Sequence, residues 1–262
     1  MVTGAGSGIG RAVAMALAEQ GARVAVTDVV EELALATVRS IRAAGGEAQA
    51  FRLDVADPEQ VAAAAGQIVE AVGVPAVLVN NAGIAVGGLF LDTSLASWQR
   101  ILAVNLMGVV HCCRAFVPMM VAAGQPGQVV NLASMLGYTG LQGVSAYCAT
   151  KFGVLGFSEC LRAELSRHGI GVSTICPGVV RTNIIRAGIL ESREEGVAAR
   201  RAAIEALYAR RNYSPERVAR AVVRAIRRNR SVMPVTTEAW IAWYLKRWAP
   251  WLLAWLARKQ PA

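Results

Sequence analysis

The feature that most constrains this chain is an alternation. Short apolar runs at 23–28, 48–55, 76–80, 128–133 and 171–176 take turns with helix-length segments at 9–20, 31–44, 58–72, 95–122 and 145–167. Runs that are apolar on nearly every residue, not on every second one, read as strands buried on both faces. A helix between each consecutive pair makes the strands parallel and puts helices on both sides of the sheet. The boundaries carry their own chemistry. Asp57-Pro58-Glu59 offers a capping carboxylate, then a proline whose fixed φ suits the first helical position. Gly21, Gly45 and Gly169 stand where helices must stop. One more strand is expected at 231–235, in a C-terminal part from 183 onward that otherwise reads as helical.

Composition excludes several classes. A length of 262 residues suits one α/β domain, and 55% hydrophobic against 17% charged residues excludes disorder for most of the chain. No run of about eighteen consecutive apolar residues reads as a membrane-spanning helix, and the first residues lack the layout of a signal peptide. The five cysteines, Cys112, Cys113, Cys148, Cys160 and Cys176, are odd in number and include no C-x-x-C pair. That pattern predicts free thiols in a reducing, cytoplasmic compartment. Those on helices, Cys112, Cys113, Cys148 and Cys160, are expected to pack as small apolar residues. With only His111 and His168 present, a histidine base or a histidine-rich metal centre is disfavoured. Both are read as structural, and no metal is expected.

Thr3-Gly4-Ala5-Gly6-Ser7-Gly8-Ile9-Gly10 opens the first helix. Glycines let backbone approach a pyrophosphate closely, and a helix N-terminus offers N–H groups and a positive dipole end. The bland alternative is a plain tight turn. Only Met1 and Val2 precede it, whereas a doubly wound sheet needs a central strand feeding this turn. The natural chain is therefore expected to start several residues upstream. Asp28 ends the next strand, where a carboxylate can accept from both adenosine ribose hydroxyls and repel a 2′-phosphate. Its alternative role is a helix cap. Tyr147 and Lys151 stand four apart on one helical face, a rare chance pairing in a chain with five tyrosines and three lysines.

In combination these motifs resemble the classical short-chain dehydrogenase/reductase family over about residues 1–235. The resemblance implies a three-layer Rossmann fold with a doubly wound parallel sheet, plus a helical C-terminal extension. It implies a catalytic tetrad of Asn105 (in V-N-L-M-G), Ser134, Tyr147 and Lys151. It implies a dinucleotide held by Thr3, Gly4, Ser7, Gly8, Ile9 and Gly10, by Asp28, and by the adenine-contacting pair Asp54 and Val55. Asn81, Ala82 and Gly83 of the N-N-A-G run would line the cofactor. So would Tyr147, Lys151, and Pro177, Gly178, Val180 and Thr182 of P-G-V-V-R-T. Ser7 in place of a basic residue, and Val29 instead of arginine after Asp28, favour NAD over NADP.

The residue types explain the chemistry. A tyrosine with a pKa of about 10 is a poor base at neutral pH, but a nearby ammonium and an oxidised nicotinamide favour its phenolate. Tyr147 can then take the proton of an alcohol, or return one to a carbonyl. Lys151 would also hold the nicotinamide ribose, Ser134 would orient the substrate oxygen, and Asn105 would hold a relay water. The reading is an NAD(H)-dependent oxidoreductase interconverting an alcohol and a ketone or aldehyde. Its rivals are an NADPH-dependent lipid ketoreductase and a non-catalytic dinucleotide-binding scaffold. Family members are usually dimers or tetramers, so a homo-oligomer is expected.

Charge is distributed unevenly. Residues 1–180 carry 10 basic and 12 acidic side chains, whereas 181–262 carry 17 and 6, a net +11. Residues 183–214 fall where the family has its variable substrate lid. Ile184, Ile185, Ile189 and Leu190 there suggest a steroid-, retinoid- or lipid-like substrate. The 236–262 tail holds Trp240, Trp243, Trp248, Trp251 and Trp255 among Lys246, Arg247, Arg258 and Lys259, with Pro250 expected to split it. Read as one helix, Trp240, Trp248, Trp251 and Trp255 share an arc of about 80°. Two partners fit such a face. One is a membrane surface, on the cytoplasmic side; the other is the protein's own lid or a second subunit. Nucleic acid is not expected.

Overall fold

The computed structural model describes residues 1–192, 202, 206 and 211–258. Its sheet is parallel throughout and built in two halves. β1 (Val24–Asp28) pairs with β2 (Ala48–Arg52). On the other side β3 (Val77–Asn80), β5 (Gly127–Leu132), β6 (Ile170–Cys176) and β8 (Val232–Pro234) pair in that order. Val2 joins the halves, bridging Val26 on one side and Val79 on the other. Its N–H donates to Ala25 O at 2.9 Å, and its carbonyl accepts from Thr27 N at 3.0 Å. Thr3 N donates to Val79 O, and Val79 N donates to Met1 O. The sheet thus winds outward in both directions from the N-terminal residues. A second small parallel pair, β4 (Val86–Gly87) with β7 (Ile189–Leu190), lies outside the main sheet.

Successive strand residues face opposite sides, and each side is covered by helices. α1 (Gly8–Ala18), α2 (Glu31–Ala43) and α7 (Pro215–Arg227) cover one side, burying Val13, Val38 and Val222 on Val26, Val79, Val130 and Ile175. α3 (Pro58–Val72), α5 (Gly108–Ala122) and α6 (Ser145–Leu165) cover the other, burying Ile68, Phe116 and Val154 on Leu78, Val129 and Val172. Asp57 caps α3 by accepting from Glu59 N and Gln60 N, with Pro58 at the first position. α8 (Thr237–Trp248) and α9 (Pro250–Arg258) follow the last strand.

Several expectations are corrected. The segment 95–122 is not one regular helix. α4 (Leu95–Leu102) and α5 are separated by a π-helical turn, Ala103–Met107, in which Gly108 N reaches back five residues to Ala103 O. By length and composition this run could cross a bilayer, yet α5 lies against the sheet with Phe116 buried, while Ile101 is buried beside Val86 and Asn105 against Ile84. Strands β4 and β7 were not expected; at two residues each they are too short for periodicity to reveal. Cys160 lies exposed on α6, whereas the other four cysteines are buried; all five are free. Ala249 breaks the tail at φ −143°, ψ 58°, so the 80° arc of tryptophans does not run along one helix. Of the lid at 183–214, residues 193–201, 203–205 and 207–210 lie outside the described residues, as does Lys259.

Gly108 allows α5 to close on Val55: a Cβ there would lie 2.6 Å from Val55 Cγ2. Helix propensity alone gives Gly108→Ala a gain of about 1 kcal/mol. We expect instead a loss of about 1–3 kcal/mol in urea denaturation, from overpacking against a stiff β-branched side chain.

Candidate active site

The glycine-rich turn is held by the N-N-A-G segment. Thr3 Oγ1 accepts from Asn81 N and Ala82 N, both at 3.0 Å. Asn81 Nδ2 donates to Thr3 O at 2.9 Å and Gly4 O at 3.1 Å. Gly10 lets α1 start directly over the turn, since a Cβ there would fall 2.2 Å from Gly4 O. Gly4 and Gly8 take φ of +58° and +52°, a region that favours glycine. Ser7 precedes α1 without a side-chain cap. The first-turn N–H groups of α1 therefore lie at the open end of the helix, beside Ile9, where an anion can accept from them. This cradle fits a dinucleotide pyrophosphate.

Asp28 is nearly buried at the end of β1. Its Oδ2 accepts from Gly6 N at 2.9 Å and its Oδ1 from Val30 N at 3.1 Å. The N-cap of α2 is Val30, not Asp28, so the capping alternative fails. Gly6 leaves room for this carboxylate, 2.8 Å from where its Cβ would be. Asp54 accepts from Ala56 N at 3.0 Å. Val55 is buried under α5, with its carbonyl 3.0 Å from His111 Nδ1. His111 thus braces the loop after β2.

The four tetrad candidates gather past the ends of β3 and β5. Lys151 is buried in α6, its Nζ donating to Leu132 O at 2.8 Å and lying 5.6 Å from the Tyr147 ring centroid. Burial pushes its pKa down to about 8. Gly83 sits between two of them: a Cβ there would be 3.3 Å from Asn105 Oδ1 and 3.7 Å from Lys151 Nζ. Asn105 is buried in the π turn, where its amide accepts from Ile84 N and donates to Ile84 O. A π turn inside a helix re-aims its side chains, which is why it recurs at functional sites. Ser134 accepts from Leu136 N and lies 3.5 Å from Pro177 O. The Tyr147 ring packs in an apolar cluster with Ile84, Val86, Trp98 and Ile101.

The loop after β6 is gripped from several sides. Pro177 O accepts from Met135 N at 2.8 Å, and Arg181 N donates to Tyr213 O at 2.9 Å. Val179 N donates to Glu238 Oε1 at 3.1 Å. Thr182 lies against Gly8, 3.4 Å from where its Cβ would be, so this loop meets the glycine-rich turn. Glu238, Tyr138 and Tyr213 are contacts that sequence reasoning missed. They stand outside every recognisable motif, and the only signal was that Glu238 is the last acidic residue of the sequence. Strand β7 is tied down by the following Glu191, which accepts from Ser94 N, Ser94 Oγ and Ser97 Oγ at 2.7–2.9 Å. Partial burial would raise its pKa, but these hydrogen bonds prevail and hold it below the usual carboxylate range.

Comparison with known proteins agrees with this geometry. The family model for short chain dehydrogenases matches residues 1–191. The probable oxidoreductase EphD of Mycobacterium tuberculosis is 44% identical over 260 residues, 98% of this chain. The match covers 44% of EphD, so the chain spans less than half the length of that relative. A short chain dehydrogenase/reductase from Burkholderia phymatum, solved in complex with NAD, is 30% identical with a TM-score of 0.87, covering 100% of this chain and 95% of that one. A metagenomic short-chain oxidoreductase in complex with NADP is 34% identical with a TM-score of 0.69, covering 85% and 87%. With the doubly wound sheet, the glycine cradle and the Tyr147–Lys151 pair, these matches make the chain a member of the short-chain dehydrogenase/reductase family, oxidoreductases on an NAD(P)-binding Rossmann fold.

Proposed function

We propose that the protein interconverts an alcohol and a ketone or aldehyde on a hydrophobic, steroid-, retinoid- or lipid-like substrate, with NAD(H) in preference to NADP(H). The observation that carries this reading is the buried Lys151 ammonium beside Tyr147, next to an apolar wall of Ile84, Val86, Trp98 and Ile101. Bound NAD would supply the hydride acceptor. Tyr147 takes the proton from the substrate hydroxyl, and Lys151 stabilises the phenolate that does so. Lys151 also reaches the nicotinamide ribose, while Ser134 orients the substrate oxygen. Asn105, with its amide fixed by Ile84, holds a water between Lys151 and solvent. Thr3, Gly4, Ser7, Gly8, Ile9 and Gly10 hold the pyrophosphate. Asp28, Asp54 and Val55 hold the adenosine. Asn81, Ala82, Gly83, Pro177, Gly178, Val180 and Thr182 hold the nicotinamide end.

Residues 1–235 are the catalytic unit in this reading, and 236–262 an appended tail. We take the working form to be a homodimer or tetramer. Exposed Phe90 and Leu91 ahead of α4, and Leu95 at its start, give it apolar contact surface. Five free cysteines suit a cytoplasmic location, and a lipophilic substrate suits one at the inner face of a membrane.

Two experiments test this. The first reads reduced-cofactor formation with a panel of alicyclic and long-chain alcohols and either NAD or NADP. We expect kcat/KM to favour NAD, and Asp28→Ala to narrow that preference by about tenfold or more, the loss of one like-charge repulsion. A wild-type preference for NADP overturns the reading of Asp28 and favours the ketoreductase rival.

The second uses Lys151→Met. Burial lowers Lys151 from 10.5 to about 8. Between those values the unfolded chain binds more protons, so this group's contribution to stability rises with pH. Below about pH 8 the buried ammonium costs up to about 3 kcal/mol. Lys151→Met should therefore lose turnover yet show a Tm at pH 7 no lower than wild type, with its relative advantage shrinking toward pH 10. A pH-independent loss of Tm would contradict this account of the lysine.

A further inference from the structure

α8 turns an unusual face to solvent. Trp240, Ile241, Tyr244 and Trp248 fall within about 100° of the helix circumference. The opposite side holds Ala239, Ala242 and Trp243, which pack on the protein. Ile241 and Tyr244 are each 55% exposed and Trp248 83%. Trp240 and Tyr244 stack at 5.8 Å, so the patch is a preformed aromatic surface. On α9 Trp251 is 71% exposed, with Trp255 and Leu256 also exposed. A helix that only covers a globular protein points such residues inward; here the outward face is the aromatic one.

We propose that the outer face of α8 and α9 is a docking surface for an anionic lipid bilayer, with the tryptophans at headgroup depth. Charge argues for this occupant. Residues 239–262 contain four basic side chains and no acidic one. Arg247 borders the patch, lying over Trp243, and Lys246, exposed on the other side of the helix, lies over Phe152. A second copy would bring two such cationic tails together, whereas an anionic surface attracts them. Tryptophan is also the residue that best suits a membrane interface, apolar in body with a polar N–H.

The test is co-flotation of the full chain with phosphatidylglycerol-containing or pure phosphatidylcholine vesicles, at low and high salt. Binding to the anionic vesicles should be stronger and should weaken with salt. A Trp248→Ser/Trp251→Ser double variant should bind more than about tenfold less, while turning over a water-soluble alcohol as wild type does. Absence of vesicle binding, or undiminished binding by the variant, overturns the proposal. So does a smaller oligomer in the variant without a change in vesicle binding, which assigns the face to a second copy. Turnover is read separately, so failure here leaves the catalytic reading standing.

The inner side of α8 carries a second inference independently. Glu238 accepts from Val179 N, and its Oε1 would lie 2.5 Å from a Cβ on Gly178. Thr236 caps the helix by accepting from Ala239 N. Tyr138, four residues beyond Ser134, donates to Ala239 O at 2.7 Å and meets Trp243 edge-on at 5.1 Å. Burial keeps the Tyr138 phenol protonated, so it stays a donor. The first turn of α8 thus touches both the Ser134 loop and the Pro177–Val180 loop. We infer that Glu238 is a positioning residue, holding the latter loop at the height a nicotinamide needs. Glu238→Ala should raise KM for NAD several-fold with a smaller change in kcat. Glu238→Gln, which keeps an acceptor for Val179 N, should restore KM. Equal KM in Glu238→Ala and wild type, or no rescue by glutamine, contradicts this role.

Discussion

The structure depends on the lock between the glycine-rich turn and the segment after β3. Thr3 and Asn81 exchange hydrogen bonds so that one side chain from each satisfies the other's backbone. Backbone amides buried without partners cost more than the bonds return when made, so this reciprocal arrangement leaves little freedom. The lock does three things at once. It seals the two halves of the sheet where Val2 alone bridges them. It fixes the N-terminus of α1 over the glycine-rich turn. It also sets Gly83 against Asn105 and Lys151, linking the glycine-rich turn to the tetrad candidates.

Much of this was legible in the sequence, because backbone demands leave marks on residue type. Gly10 is glycine because Gly4 O occupies the space a side chain would need, and Gly4 and Gly8 because their φ is positive. Apolar strands announce a sheet covered on both sides, and Asp57-Pro58 announces a helix start. What could not be read was tertiary. The π turn at 103–107 looks like ordinary helix in the sequence, and the pairing of Asn105 with Ile84 that accompanies it is a tertiary contact. Strands β4 and β7 exist only because the lid returns to lie beside Val86. Cys160 resembles the other helical cysteines until the face of α6 is known. Glu238 belongs to no motif, and its partner Val179 is 59 residues away in sequence.

The tail is best understood through its two sides. Its inner side grips the loops that carry Ser134 and Pro177–Val180, and its outer side shows aromatics and cations to solvent. The charge asymmetry of the chain follows the same division. The near-neutral part, 1–180, holds the glycine-rich turn and the tetrad candidates, and the basic excess belongs to 181–262. One short helix therefore connects the surface that would meet a partner to the segment that would meet the cofactor.

The central claim is that Tyr147 transfers the proton. Its most direct measurement compares turnover and NAD affinity in Tyr147→Phe, which removes one hydroxyl and keeps the ring in its apolar cluster. The account predicts turnover reduced by at least about a hundredfold, the usual contribution of a general base, with the NAD dissociation constant within a few-fold of wild type. Turnover that survives the loss of that hydroxyl would contradict it.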